Sequence, residues 1–218
     1  MMRTAELYNF SHSLAGEWLS GFEWPWQALG GIKEEILRIG AGLGDDYEEI
    51  SPQVWVHKTA VIAQSASMGA PCIIGPGTEV RHGAFIRGSA LVGADCVVGN
   101  SVELKNVILF DKVQVPHYNY VGDSILGWCA HMGAGSITSN VKGDKSLVVI
   151  HGEQSLPTGL KKVGAFLGDR VEVGCNSVLN PGTVIGRDSQ VYPLTSVRGV
   201  IPPRCLVKGP DAIVAKNA

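Results

Sequence analysis

From Ile50 the chain repeats every six residues. Ile50, Val56, Ile62, Met68, Ile74, Val80, Ile86, Val92, Val98 and Leu104 occupy one aliphatic position without a slip. Four residues after most of them stands a small or β-branched residue, as at Val54, Ala60, Ala66, Cys72, Thr78, Ala84, Ala90, Cys96 and Val102. This period predicts a mainly β chain folded as a parallel β-helix. Each hexapeptide is one flat face, three make a triangular coil, and coils stack at about 4.8 Å. The aliphatic residue fills the interior and the small one fits the corner. The glycines that commonly follow, Gly69, Gly75, Gly93 and Gly99, are expected where the chain turns. Hexapeptide solenoids of this kind are left-handed, against the usual handedness of parallel crossovers.

The rhythm loses a residue twice, from Leu104 to Leu109 and from Val121 to Leu126, and it continues through Val115 and Met132 to about Asn140. Between these positions stand His117, Tyr118, Asn119 and Tyr120, too large and too polar for slots elsewhere filled by small residues. A function is expected there. Residues 141–166 break the register, and a long excursion from a solenoid is usually functional or disordered. Within it, the run LVVI predicts a short strand or hairpin on the outside. The period resumes at Leu167, Val173, Leu179, Ile185, Val191 and Val197, and Pro202 and Pro203 predict its end. The expected division is therefore a helical cap over residues 1–48, a β-helix over 49–203 and a tail over 204–218. Trp18, Trp24 and Trp26 in the first segment are read as anchors that seat it over the open end of the solenoid rather than as a sugar platform.

Composition narrows the function. Twenty-eight Gly and 11 Pro with 7% aromatic residues fit a turn-rich β solenoid. A formal charge of −2, with no basic arm, offers nothing to nucleic acid, so small molecules or further copies of the chain are the expected partners. No apolar run is long enough to cross a membrane, and the N-terminus lacks a signal-peptide pattern, which sets the cytoplasm as the expected compartment. Five cysteines without a C-x-x-C pair fit a reducing environment. A metal site of the γ-carbonic anhydrase type requires histidines spaced H-x-x-x-x-H, and the histidines have no such spacing.

The stretch VPHYNYVGDSILGWCAHMGAGSITSN, with TGLKKVGAFLGD and VGCNSVLNPGTVIG after it, resembles the acetyltransferase domain of bifunctional glucosamine-1-phosphate acetyltransferase/uridyltransferases. It is similar too to the C-terminal β-helix of archaeal-type sugar-1-phosphate nucleotidylyltransferases, and with RHGAFIRG and ELKN to short hexapeptide-repeat proteins labelled N-acetylglucosamine pyrophosphorylase-related. The resemblance spans residues 50–203. It implies acetyl-coenzyme A as co-substrate, a homotrimer, and acyl transfer to an amino-sugar 1-phosphate. A nucleotidyltransferase activity is not expected, since residues 1–48 hold no Gly-rich phosphate loop.

The resemblance makes His117 the general base that takes the proton of the attacking amine, a task suited to imidazole. It assigns Tyr120, Arg87, Lys105 and Asn140 to the sugar phosphate, and Ala134, Cys175, Lys142 and Lys145 to the coenzyme. His131 stands where the family has Asn, and is expected at the sugar with a changed contact. A non-catalytic sugar-phosphate-binding β-helix is the competing expectation.

Overall fold

The computed structural model describes residues 1–209 and 212–216, and in them the six-residue period becomes a left-handed parallel β-helix of about nine turns. Equivalent hexapeptides of successive coils pair in parallel. Val61, Glu79, Val97, Gln114, His131, Glu172, Gln190 and Leu206 form one such column. The interior positions from Ile74 to Leu104 are buried, as are Leu109, Val115, Val121, Leu126 and Met132 beyond the slips. Ile62 and Met68 in the first coil are only partly buried, and Ile50 departs furthest. It lies on Tyr47–Ser51, a strand that pairs antiparallel with Val54–His57, and it is half exposed. A hairpin starts the solenoid, and the interior ladder begins at Val54.

The repeat glycines have a different cause from the expected one. A Cβ on Gly75 would lie 2.5 Å from the carbonyl carbon of Gly93 in the next coil, so close stacking of backbone demands glycine there. The left-handed turn residues come two positions later, at Gly77 (φ 66°) and Asp95 (φ 52°).

At both slips the shortened corner joins two faces into one continuous strand, Glu103–Leu109 and Tyr120–Leu126. These strands pair along their length, with Leu104 opposite Val121 and Leu109 opposite Leu126. The turn residues at this corner, Asn106 (φ 54°) and Asp123 (φ 48°), lie in adjacent coils.

The N-terminal segment is helical as expected, with Thr4–Leu7, Gly16–Ser20 and Ile32–Gly40, but it does not cover the open end. It runs along one side of the solenoid as a strap. Arg187 Nε donates to the Leu7 carbonyl at 3.0 Å near the last coils. Tyr8 stacks on Phe110 at 5.1 Å and Trp26 meets Phe166 at 6.3 Å in the middle. The helix Ile32–Gly40 packs on Cys72–Ile74 and Ala90–Val92 in the early coils. The reason is a second apolar residue in every third hexapeptide, just before the interior one. Ile73, Leu91, Ile108, Ile125, Phe166 and Val184 therefore point outward on one face, and all are at most 1% exposed beneath the strap. Trp26 is buried in this packing and Trp24 stacks on it at 5.4 Å, so the tryptophans anchor the segment sideways.

The excursion leaves the coil at the same corner as the slips, after Asn140. It forms the antiparallel hairpin of Val149–Ile150 with Leu156–Pro157, and a bridge between Val141 and Lys162 closes its stem. The coil is regained at Ala165–Leu167, slightly before the expected Leu167. The expected tail is not one. Cys205–Gly209 continues the ladder in parallel with Gln190–Val191, then folds back on Ala212–Ala215. Pro202 and Pro203 fall in a turn between rungs, where no ladder N–H is needed. Residues 210, 211, 217 and 218 of that region lie outside the described residues.

Candidate functional site

Two groups of side chains stand on neighbouring parts of the solenoid. The first is a column at one corner. His117 ends the strand Gln114–His117, and since Gln114 pairs with His131 and His131 with Glu172, Ala134 and Cys175 follow His117 in the next two coils. Backbone bonds lock this stack, from Gly135 N–H to the His117 carbonyl (3.0 Å) and from Asn176 N–H to the Ala134 carbonyl (2.8 Å). His117 and Cys175 are exposed. The Ala134 N–H donates to no group among the described residues.

Asn119 fixes the His117 backbone from inside. It occupies the small inward slot four residues after Val115, and it is 2% exposed. Its amide donates to the carbonyls of Gly133 (2.8 Å) and Ser136 (3.0 Å), while its oxygen accepts from the His117 N–H (3.1 Å). A polar residue that reads in sequence as a surface ligand is instead an interior brace, because every hydrogen-bonding group it buries is matched.

The second group covers the face after that corner. Arg87 and Lys105 follow Ile86 and Leu104, which pair, so the two cations stand one coil apart. Arg87 donates to Glu103 at 2.9 Å, and this bond holds the guanidinium above its ordinary pKa. Lys105 Nζ lies 2.8 Å from Asp123 Oδ1. Asp123 is the hub. Its buried carboxylate also accepts from Asn106 (3.0 Å) and Asn140 (2.5 Å), and the Asn140 amide reaches the Tyr120 hydroxyl at 3.1 Å. Burial, and then the Asp123 charge, push the Tyr120 phenol above its ordinary range. Asn106 donates to the Leu29 carbonyl at 3.3 Å, which ties the strap to the same hub.

The structure thus brings together Arg87, Lys105, Tyr120 and Asn140, and separately His117, Ala134 and Cys175. It does not join the other three expected residues to these groups. His131 lies on the face before the His117 corner, three residues back along the chain from Ala134, and pairs with Glu172 at 2.8 Å. Lys142 lines a pocket at the far corner with Asn180 and Arg198, and Lys145 sits in an exposed turn of the excursion. The excursion leaves at the Asp123 corner and packs against the later coils there, away from the His117 column of its own chain.

Glu103, Asp123 and Asn106 escaped the sequence reading. Asp123 and Asn106 were findable, because each is the residue at which the period loses a step. Such a corner needs a residue that tolerates left-handed backbone.

The coil geometry and these columns define a hexapeptide-repeat β-helix protein. A family model described as the GMPPB C-terminal domain matches residues 71–202, and the chain belongs to that family. A bifunctional sugar-1-phosphate nucleotidylyltransferase/acetyltransferase from Sulfurisphaera tokodaii is 32% identical over 41% of this chain and 23% of its own length. The bifunctional protein GlmU of a Nostoc species is 34% identical over 78% of this chain and 32% of its own. The chain therefore spans a third or less of these curated relatives. Among solved structures, a variant of perosamine N-acetyltransferase from Caulobacter crescentus, in complex with CoA and GDP-perosamine, is similar at 18% identity. It covers 75% of this chain and 56% of that one, with a TM-score of 0.40.

Proposed function

We propose that the chain is an acetyl-coenzyme A dependent acyltransferase whose acceptor is the amine of a hexosamine 1-phosphate or a related sugar phosphate. The observation that carries this is the exposed His117 at the head of the Ala134 and Cys175 column, beside a face where the buried Asp123 carboxylate holds Lys105 and Asn140, Asn140 reaches the Tyr120 hydroxyl, and Arg87 is held by Glu103. Acetyl-coenzyme A supplies an activated acyl group when bound. The exposed edge of the column would hold its thioester end, with the unpartnered Ala134 N–H turned to the acyl oxygen. The amine attacks the thioester carbon, His117 takes the proton it loses, the C–S bond breaks, and the thiol departs with a proton returned from the imidazole. The sugar is oriented by Tyr120 and Asn140, and its phosphate is met by Arg87 and Lys105.

One solenoid presents this as a shallow outer surface. A homotrimer with parallel axes would supply the second wall, and would allow His131 and Lys145 of a neighbouring chain to approach the column.

The test is thiol release from acetyl-coenzyme A with glucosamine 1-phosphate and galactosamine 1-phosphate. His117→Ala is expected to lower turnover by about 10²- to 10⁴-fold with the fold intact, since the exposed side chain leaves no cavity. Arg87→Ala is expected to raise KM more than it lowers kcat. The same background rate for wild type and His117→Ala with every acceptor would replace the enzyme with a sugar-phosphate-binding scaffold.

A further inference from the structure

A pocket of 410 Å³ lies at the Asp123 side of the solenoid but further along its axis, between the corner of three later coils and the excursion. Ser139, Asn180 and Arg198 come from the solenoid, one coil apart, and Lys142, Asp144 and His151 from the excursion. None of the expected sugar-phosphate cations lines it. From Lys105, through Gly122, Ser139 and Asn180, to Arg198 is four coil steps, or about 19 Å at the stacking distance.

The wall of this pocket is fixed in place. A Cβ on Gly182 (φ 81°) would meet Ile150 at 2.8 Å and Val148 at 2.9 Å, and both side chains are fully buried there. One on Gly199 (φ 76°) would meet the His151 carbonyl at 2.6 Å, and that carbonyl accepts from the Val200 N–H at 3.0 Å. Two glycines thus seat the excursion against the coil that carries Arg198.

The chemistry inside is cationic with one fixed acceptor. Arg3, Arg38, Arg81, Arg87, Arg170 and Arg187 each have a carboxylate within 4.0 Å, whereas Arg198, like Arg204, has none among the described residues. Lys142 donates to Ser146 Oγ at 2.6 Å and lies 3.6 Å from Asp144. Asp144, the one acid of the lining, is engaged by the Ser146 N–H (3.0 Å) and hydroxyl (2.8 Å). Asn180 has its amide nitrogen committed to the Val197 carbonyl (2.8 Å) and Ser196 Oγ (2.9 Å). A carbonyl only accepts, so the orientation is settled and the Asn180 oxygen is left for a donor. An anion meets Arg198 and the remaining donors of Lys142, and a ligand hydroxyl or amine meets that oxygen.

We propose that this pocket is a second ligand site, which takes a phosphate carried on a hydroxylated molecule, with the phosphate on Arg198 and Lys142 and a hydroxyl donated to Asn180. It is independent of the acyl-transfer chemistry, and it is tested without coenzyme. Glucose 1-phosphate, inorganic phosphate and glucose are titrated calorimetrically into Arg87→Ala protein, in which the other phosphate position is weakened. Glucose 1-phosphate is expected to bind more tightly than either fragment. Adding Arg198→Ala or Lys142→Ala is expected to weaken it by about ten- to a hundredfold, with the unfolding midpoint unchanged because Arg198 is exposed. Equal binding with and without Arg198, or glucose binding as tightly as its phosphate, overturns the proposal. Absence of acyl transfer in the wild-type protein, with this binding intact, would overturn the acyltransferase reading alone.

Discussion

Asp123 is the residue on which the candidate site turns, and Asp123→Asn isolates its charge. Asn tolerates the left-handed φ of 48°, so the corner itself is not strained by the change. What goes is the partner of Lys105, together with one of two oxygens. An Asn side chain can still accept from Lys105 and Asn106 with its single oxygen, but it then turns an amide toward the Asn140 amide, donor against donor. Breaking a buried ion pair by removing one partner costs about 3–5 kcal/mol. The Lys105 side chain keeps 27% of its exposure, so water recovers part of that, and the expected loss is about 2 kcal/mol. Urea unfolding at neutral pH measures it. A cycle with Lys105→Met separates the pair from its surroundings: the double variant should be more stable than the sum of the singles implies, by about 1–2 kcal/mol. Additivity within about 0.3 kcal/mol would show that the pair is not what organises this corner.

Deleting residues 1–45 uncovers the outward stripe of Ile73, Leu91, Ile108, Ile125, Phe166 and Val184, and the product should aggregate; a soluble truncation with an unchanged unfolding midpoint would contradict the strap. The single change Trp26→Ala should cost about 3–5 kcal/mol by urea titration, against near-neutrality if the ring lay on the surface. Asn119→Ala removes the acceptor of the His117 N–H and should lower kcat while KM holds, with histidine NMR shifts that move. Unaltered shifts would assign Asn119 to packing alone. Exposed Cys175 should react with a thiol reagent at pH 8 in the folded protein. Cys72 and Cys96, which burial pushes up to about 12, should react only on unfolding. Protection of Cys175 by coenzyme A is the expected result if the column holds the thioester, and unchanged labelling counts against it.

The solenoid is legible in the sequence, because a parallel β-helix writes its geometry as a period: one interior residue per face, six residues per face. The family resemblance named His117, Ala134 and Cys175, and parallel pairing in register is what stacks them one above another. Arg87 and Lys105 one coil apart follow from the period, and the hairpin in the excursion from the apolar run LVVI. What the period does not encode is anything perpendicular to it. The doubled apolar residues such as Ile73 and Leu91 stood in plain view, yet a strap along the side rather than a lid on the end is decided by which surface the helices find to bury. The ladder past Pro202 and Pro203 depended on where the turn fell. Carboxylate pairing at Arg87 and Lys105, the inward Asn119, and the separation of Lys142 from the His117 column are facts of side-chain direction at corners. There a single residue in left-handed backbone turns the chain onto a new face, and only the assembled coils decide which groups then meet.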